Sequence, residues 1–218
     1  MTEIVSIERE GATAARSALE RCILGGGVAL FPADGLYGLG CDPARAGVVE
    51  RIRALKDRDA AKPSAVLYFS PLAMRELVSS LGSHTRDALG ALLPGAVTLV
   101  VANPQRRYPL ACREDPERLG VRLIEGPLSG AACALLQTSA NRSGQPAPYV
   151  FDGIDAAILA GADLAIDGGE LTGEPSTVID LTELESPAGA WRILRPGAVA
   201  EEEIRSRLEG IASVGRDT

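Results

Sequence analysis

Lysine is almost missing from this chain of 218 residues. Lys56 and Lys62 are the only two, both in the stretch LKDRDAAKPS, and arginine supplies every other basic side chain. Histidine is scarcer still. His84 stands alone in GSHTRD, at an expected helix start, where a partly exposed surface role outweighs a catalytic one. Aromatic residues make up 4% of the chain, which weakens any reading that needs stacking platforms for single-stranded nucleic acid. Cys22, Cys41, Cys112 and Cys133 are scattered and form no CxxC pair, so no zinc site is expected and no residue is assigned to a metal. No apolar run reaches the ~18–20 residues of a membrane span. The opening MTEIVSIEREGATAARS has no apolar core of the signal-peptide kind. The expectation is a soluble, cytoplasmic protein with no membrane partner.

Hydrophobic residues, at 46%, are enough for a sizeable core, and the length suits one large domain. TAARSALERCIL reads as a helix stopped by Gly25 to Gly27. AGVVERIRAL reads as an amphipathic helix with Val48, Val49, Ile52 and Leu55 on one side. PLAMRELVSSL opens on a proline suited to a first helical turn, and EEEIRSRLEGIA closes the pattern as a helix. VALF, AVLYF, GAVTLVVA, GVRLI, ALLQTSA, LAID, STVID and WRIL read as strands, and PADGLYGLG as an irregular loop. About eight strands and five or six helices in mixed order predict an α/β (α+β) fold on a large twisted mixed sheet. Residues 1–205 are expected to form one domain and 206–218 a tail.

Net charge is −7, which disfavours binding a long polyanion through phosphate neutralisation. Yet ERIRALKDRDAAKP gathers Arg51, Arg53, Lys56, Arg58 and Lys62 into a local basic loop, better matched to a small anion in a cleft. Cations at a helix end also complement the helix dipole, a role that arginine fills as well. Lysine adds a compact ammonium on a flexible stem, suited to a moving phosphate group. FPADGLYGLG sets Asp34 and Tyr37 among glycines after a strand, where open α/β sheets place ligands, or where a turn needs a plug. LLQTSANRSGQPAP ends an apolar strand in Thr138, Ser139 and Asn141, groups that hold nucleotide oxygens or cap a turn. EPSTVID and WRILRPGAV add Ser176, Thr177 and Arg195 at strand ends.

Taken in order, PADGLYGL, KDR, KPS, PGAVT, GVR, TSANRSG, PSTVID and RPGA resemble the successive motifs of the YrdC-like family, from about Gly25 to Ala198. These are the threonylcarbamoyl-AMP synthases of tRNA threonylcarbamoyladenosine biosynthesis. The resemblance implies a YrdC/RibB-like single domain with a concave basic cleft. It implies a nucleotidyltransferase that joins L-threonine, bicarbonate and ATP into threonylcarbamoyl-AMP, with Mg2+ accompanying ATP. It also implies Lys56 and Arg58 as catalytic residues, and Lys56, Arg58, Lys62, Ser139, Asn141, Ser176 and Arg195 as ATP ligands. Tyr37, Thr98 and Arg122 are implied for the amino-acid substrate. A downstream tRNA threonylcarbamoyl transferase, and tRNA or double-stranded RNA, are implied partners.

Attack of a carbamate on the α-phosphorus needs preorganised cations and donors rather than a protein nucleophile, in keeping with the scarcity of histidine. The pattern departs from the family in places. Ala33 and Gly35 stand where it has threonines, Ile124 where it has a proline, and Ser64 where it has a leucine. The lost hydroxyls leave open an enzyme with a different acceptor. The shared fold leaves open a double-stranded RNA-binding module built on Arg51, Arg58, Lys62, Arg122, Arg142, Arg192 and Arg195.

Overall fold

Among the residues described by the computed structural model, 1–57 and 62–211, ten strands join into one mixed sheet. The chain runs β1 (Glu3–Ser6), α1 (Ile7–Leu24), β2 (Ala29–Ala33), β3 (Leu36–Cys41), α2 (Ala46–Lys56), β4 (Ala65–Tyr68), α3 (Pro71–Ser79) and α4 (Ser83–Leu92). It continues with β5 (Val97–Ala102), α5 (Pro109–Cys112), β6 (Arg118–Leu123), β7 (Ala134–Ser139), α6 (Ala156–Gly161), β8 (Leu164–Asp167), β9 (Thr177–Asp180), β10 (Arg192–Arg195) and α7 (Glu201–Leu208). The strands lie in the order β1-β8-β2-β3-β7-β4-β6-β5-β9-β10. No helix among the described residues is long and apolar enough to cross a membrane.

The sequence pattern missed two strands. EIVS pairs in parallel with β8 at the sheet edge. PADGLYGLG, expected as an irregular loop, contributes to a hairpin: β2 and β3 pair antiparallel around the two-residue turn Asp34-Gly35, and Asp34 takes φ 62°. Asp tolerates that left-handed conformation better than most residues. Helix α1 begins at Ile7 with Ser6 as its cap and is broken at Gly11, just before the expected start at Thr13. Helix α7 runs to Leu208, which is buried, so the folded part extends past the expected boundary at residue 205.

Alternation explains why the site lies where it does. In a strand, successive side chains point to opposite faces. Val66 and Tyr68 of β4, Val97, Leu99 and Val101 of β5, Leu119, Val121 and Leu123 of β6, and Ile179 of β9 pack into one large core with α2, α4 and α7. On the opposite face, α1 covers part of the sheet, where Phe31, Leu67, Leu135, Leu164 and Ile166 meet Ala15, Ala18 and Leu19. Further along that second face, most positions are small or polar, among them Gly38, Gly40, Ala65, Thr98, Gly120, Arg122 and Gln137, with Val100 and Val178 beside them. Large apolar residues there would call for another covering helix. Small ones leave a hollow.

Candidate active site

A cavity of about 350 Å³ opens on this second face. It collects Ala33 and Tyr37 from the hairpin, Thr98 from β5, Arg122 from β6, Gln137 and Ser139 from β7, Ser176 before β9, and Arg195 at the end of β10. Seven of the residues expected from the sequence, Tyr37, Thr98, Arg122, Ser139, Asn141, Ser176 and Arg195, therefore share one wall-to-wall space. A second slot of about 360 Å³ shares Pro63, Ser64, Ala65, Thr98 and Val178 with it and continues over Val100, Gly120 and Leu194.

Lys56 lies behind the cavity wall rather than on its lining. It is the last residue of α2, 1% exposed, and its ammonium donates to the carbonyl oxygens of Ser139 and Asn141 and, at 3.2 Å, to Asn141 Oδ1. The Lys56 carbonyl in turn accepts from the Ser143 amide at 2.7 Å. A compact ammonium can enter a nest of carbonyls where the planar arginine fork cannot, which gives the scarce lysine its use. Of the two lysines expected as ATP ligands, Lys56 has its ammonium on protein oxygens in this structure. Lys56 braces the Ser139–Asn141 corner from beneath, and Lys62 is exposed beside the rim residue Pro63. Arg58 lies outside the described residues.

The corner itself is tightly bonded. Ser139 Oγ donates to Asn141 Oδ1 at 2.5 Å, and Asn141 Nδ2 donates to the carbonyls of Arg142 at 3.0 Å and Gln145 at 2.5 Å. Across the cavity, Thr98 Oγ1 and Ser176 Oγ are 2.8 Å apart, and Arg195 Nη2 donates to the Ser176 carbonyl at 2.7 Å. The segment Glu174–Ser176 is gripped between two glycines. A Cβ on Gly35 would stand 2.2 Å from the Glu174 carbonyl oxygen, and one on Gly197 would stand 2.3 Å from that of Pro175. Both glycines are needed for this close approach.

Arg122 is the buried cation of the site. It pairs with Asp34 at 2.5 Å and donates to Gln137 Oε1 at 2.9 Å, while its Nε has no acceptor among the described residues. Burial lowers its pKa, against the pull of Asp34, and nearby Arg195 adds to the lowering. Burial likewise pushes the Asp34 carboxyl up, with Arg122 opposing. Desolvation outweighs attraction for both partners, so the pair is a weak source of stability. Tyr37 borders the cavity, but its side chain is buried in the core of the other face, where its hydroxyl donates to Gly169 O at 2.7 Å and accepts from Gly168 N at 3.0 Å. It is an anchor for the hairpin rather than a free donor.

A family model for Sua5, YciO and YrdC proteins, described as "Telomere recombination", matches residues 21–197. The chain belongs to this family. A threonylcarbamoyl-AMP synthase of Nitrosococcus oceani is 37% identical over 132 residues, covering 58% of this chain and 70% of the relative. One from Chromohalobacter salexigens is 32% identical over 168 residues, 74% of this chain and 89% of the relative. Among solved structures, P. abyssi Sua5 complexed with L-threonine superposes with a TM-score of 0.80 at 26% identity, over 98% of this chain and 62% of that one. The chain thus spans less than two thirds of that protein. E. coli YciO shares the fold at a TM-score of 0.78 and 21% identity, over 94% of this chain and all of the other.

Within the family pattern, Ala33 borders the cavity and Gly35 is closed in by the Glu174 segment, so neither brings a hydroxyl to the site. Ile124, at the expected proline, is 3% exposed and fills the core under α1. The arginines proposed for a broad RNA face are largely engaged. Arg51 is paired with Asp163, Arg142 with Asp155, Arg192 with Asp180 and Arg122 with Asp34. Among the lining residues that escaped the sequence reading are Glu174 and Gln137, both with polar side chains. Glu174 sits in the segment before Ser176 that Gly35 and Gly197 approach closely, and Gln137 interrupts an apolar strand, the one signal that could have marked it.

Proposed function

We propose that this chain makes threonylcarbamoyl-AMP from L-threonine, bicarbonate and ATP, releasing pyrophosphate. The observation that carries the reading is convergence: the Ser139–Asn141 corner, the Thr98–Ser176 hydroxyls, Arg122 and Arg195 line one cavity, with donors and cations in excess over anions. The synthases among the curated relatives and the threonine complex of Sua5 support it. Threonine's amine condenses with bicarbonate to form a carbamate: the N–C bond forms, a C–O bond of bicarbonate breaks, and the hydroxyl leaves with an amine proton as water. A carbamate oxygen then attacks the α-phosphorus, and the bond to the β-phosphate oxygen breaks as pyrophosphate leaves. Arg122 and Arg195 offset the charge that gathers on the carboxylate and phosphoryl oxygens, and the hydroxyl pair and the Ser139 corner orient the nucleotide. Lys62 and Arg58 belong to the phosphate side of this reading.

No three His, Cys, Asp or Glu side chains among the described residues converge on a metal, and Glu174 is the carboxylate on the cavity lining. That donor set fits a magnesium ion carried by ATP's own phosphates with Glu174 as a protein ligand, where it would offset phosphate charge. The product is a reactive mixed anhydride, and its consumer would be a transferase acting on tRNA. The test is pyrophosphate release by the purified chain with ATP, bicarbonate and each amino acid in turn. Release with threonine alone is expected. Release with a different amino acid would reassign the acceptor, and release with none would overturn the reading.

The adjoining slot over Val100, Gly120, Val178 and Leu194 is apolar and suits the adenine ring. A Cβ on Gly120 would meet Ala65 Cα at 3.4 Å, ordinary contact, so a larger side chain folds there but projects into the slot. Gly120→Leu is therefore expected to raise the KM for ATP by ~10-fold or more while leaving the threonine KM within ~2-fold. Steady-state kinetics with each substrate varied in turn checks it.

A further inference from the structure

Gln137 is a cavity residue whose hydrogen bonds are half committed. It stands on β7 opposite Gly40 of β3 and Ala65 of β4, 8% exposed. Its Oε1 accepts from Arg122 Nη1 at 2.9 Å. A guanidinium only donates, so the atom facing it must be the carbonyl oxygen, and the orientation of the amide is fixed. The NH2 end consequently turns toward Gly38 and Ala33. A Cβ built on Gly38 would stand 2.8 Å from Gln137 Nε2 and 3.3 Å from the Ala33 methyl. Nε2 donates to none of the described residues and is not among the fully buried atoms left unpartnered, so it faces the cavity. Glycine at 38 leaves this corner open.

We propose that Gln137 is the specificity-determining residue for the amino-acid substrate, its carboxamide N–H reading the substrate's side-chain hydroxyl while the Ala33 methyl packs against the substrate's methyl. The inference rests on the threonine reading above. Charge sorts the ligand's oxygens: the carboxylate and phosphate oxygens go to the guanidinium groups, and a neutral amide is left for a neutral oxygen. The corner presents one donor and one methyl side by side. Its complement is a branched carbon carrying one oxygen and one methyl, in a fixed hand. Valine, with a methyl for the hydroxyl, would leave Nε2 unpaired, and L-allo-threonine would set its hydroxyl against Ala33. Sites that hydrogen-bond a hydroxyl discriminate strongly against analogues lacking it.

The chain has three glutamines, Gln105, Gln137 and Gln145, so the side-chain amide signals of a 15N-labelled sample are few. The Gln137 pair is assigned by its loss in Gln137→Met or Gln137→Glu. With ATP present, L-threonine is expected to shift this pair, and L-valine and L-allo-threonine to leave it in place. In pyrophosphate release, Gln137→Met is expected to lower the preference for threonine over valine at least ~10-fold. A residue that merely orients Arg122 would lower both substrates alike and leave that ratio unchanged. Threonine shifting backbone amides around the cavity but not the Gln137 pair, or an unchanged ratio in Gln137→Met, overturns the inference and leaves the functional reading standing. Threonine shifting nothing overturns both. If Gln137→Met does not fold, the wild-type titration decides.

Discussion

Lys56→Met is expected to abolish the shape of the Ser139–Asn141 corner and lower turnover by ~10²–10³-fold, a loss of the size seen when oriented donors are removed. The ammonium holds two backbone carbonyls and the Asn141 amide oxygen at once. Methionine fills the space but donates nothing, so each carbonyl left buried without a donor costs about 1–3 kcal/mol. Urea denaturation should show that loss, and the thermal stabilisation that ATP gives the wild type should fall with it. Lys56→Arg is expected not to rescue, because the planar fork needs more room than a residue 1% exposed has. A variant that kept full stability and ATP affinity and lost only turnover would overturn the bracing role, placing the ammonium on the reacting phosphates instead.

That role shows what the sequence could and could not reveal. The two lysines are conspicuous in LKDRDAAKPS, but the partners of Lys56 lie more than eighty residues further along the chain (the separation to Ser139 is 83). No local pattern encodes such a contact. Alternation was legible: GVRLI and GAVTLVVA mark one apolar face each, and His84 is the half-exposed surface residue expected, its side chain 55% exposed. What alternation leaves undetermined is which face a helix will cover. Arg122 and Thr98 therefore read equally well as solvent-facing residues or as the floor of a cavity. The hairpin was missed for a different reason. Three glycines in PADGLYGLG suggested an irregular loop, although Asp-Gly between alternating residues is a strong hairpin signal. Gln137 meets Arg122 only through the register of β7, β4 and β6, which no single strand discloses.

Replacing the buried ion pair, Asp34→Asn with Arg122→Met, is expected to separate stability from activity. Turnover should fall by ~10²–10³-fold or more, since a buried cation lining the cavity is gone. Stability should rise, by up to about 1–4 kcal/mol, as happens when a desolvated pair gives way to neutral groups of similar size. Asn tolerates the φ of 62° at position 34, and Met's flexible chain can fill the space left by Arg122. The sign of the pH dependence follows from burial. It holds the Asp34 carboxyl above the ordinary carboxylate range, Arg122 notwithstanding, so the folded chain takes up this proton before the unfolded chain does. The stability tied to this group is therefore full below the ordinary carboxylate pKa and is lost as pH rises through the raised value. The advantage of the double variant should accordingly be largest at neutral pH and narrow on acidification, a trend that urea denaturation across the acid limb would measure. A double variant less stable than the wild type at neutral pH would mean that attraction, not desolvation, governs the pair.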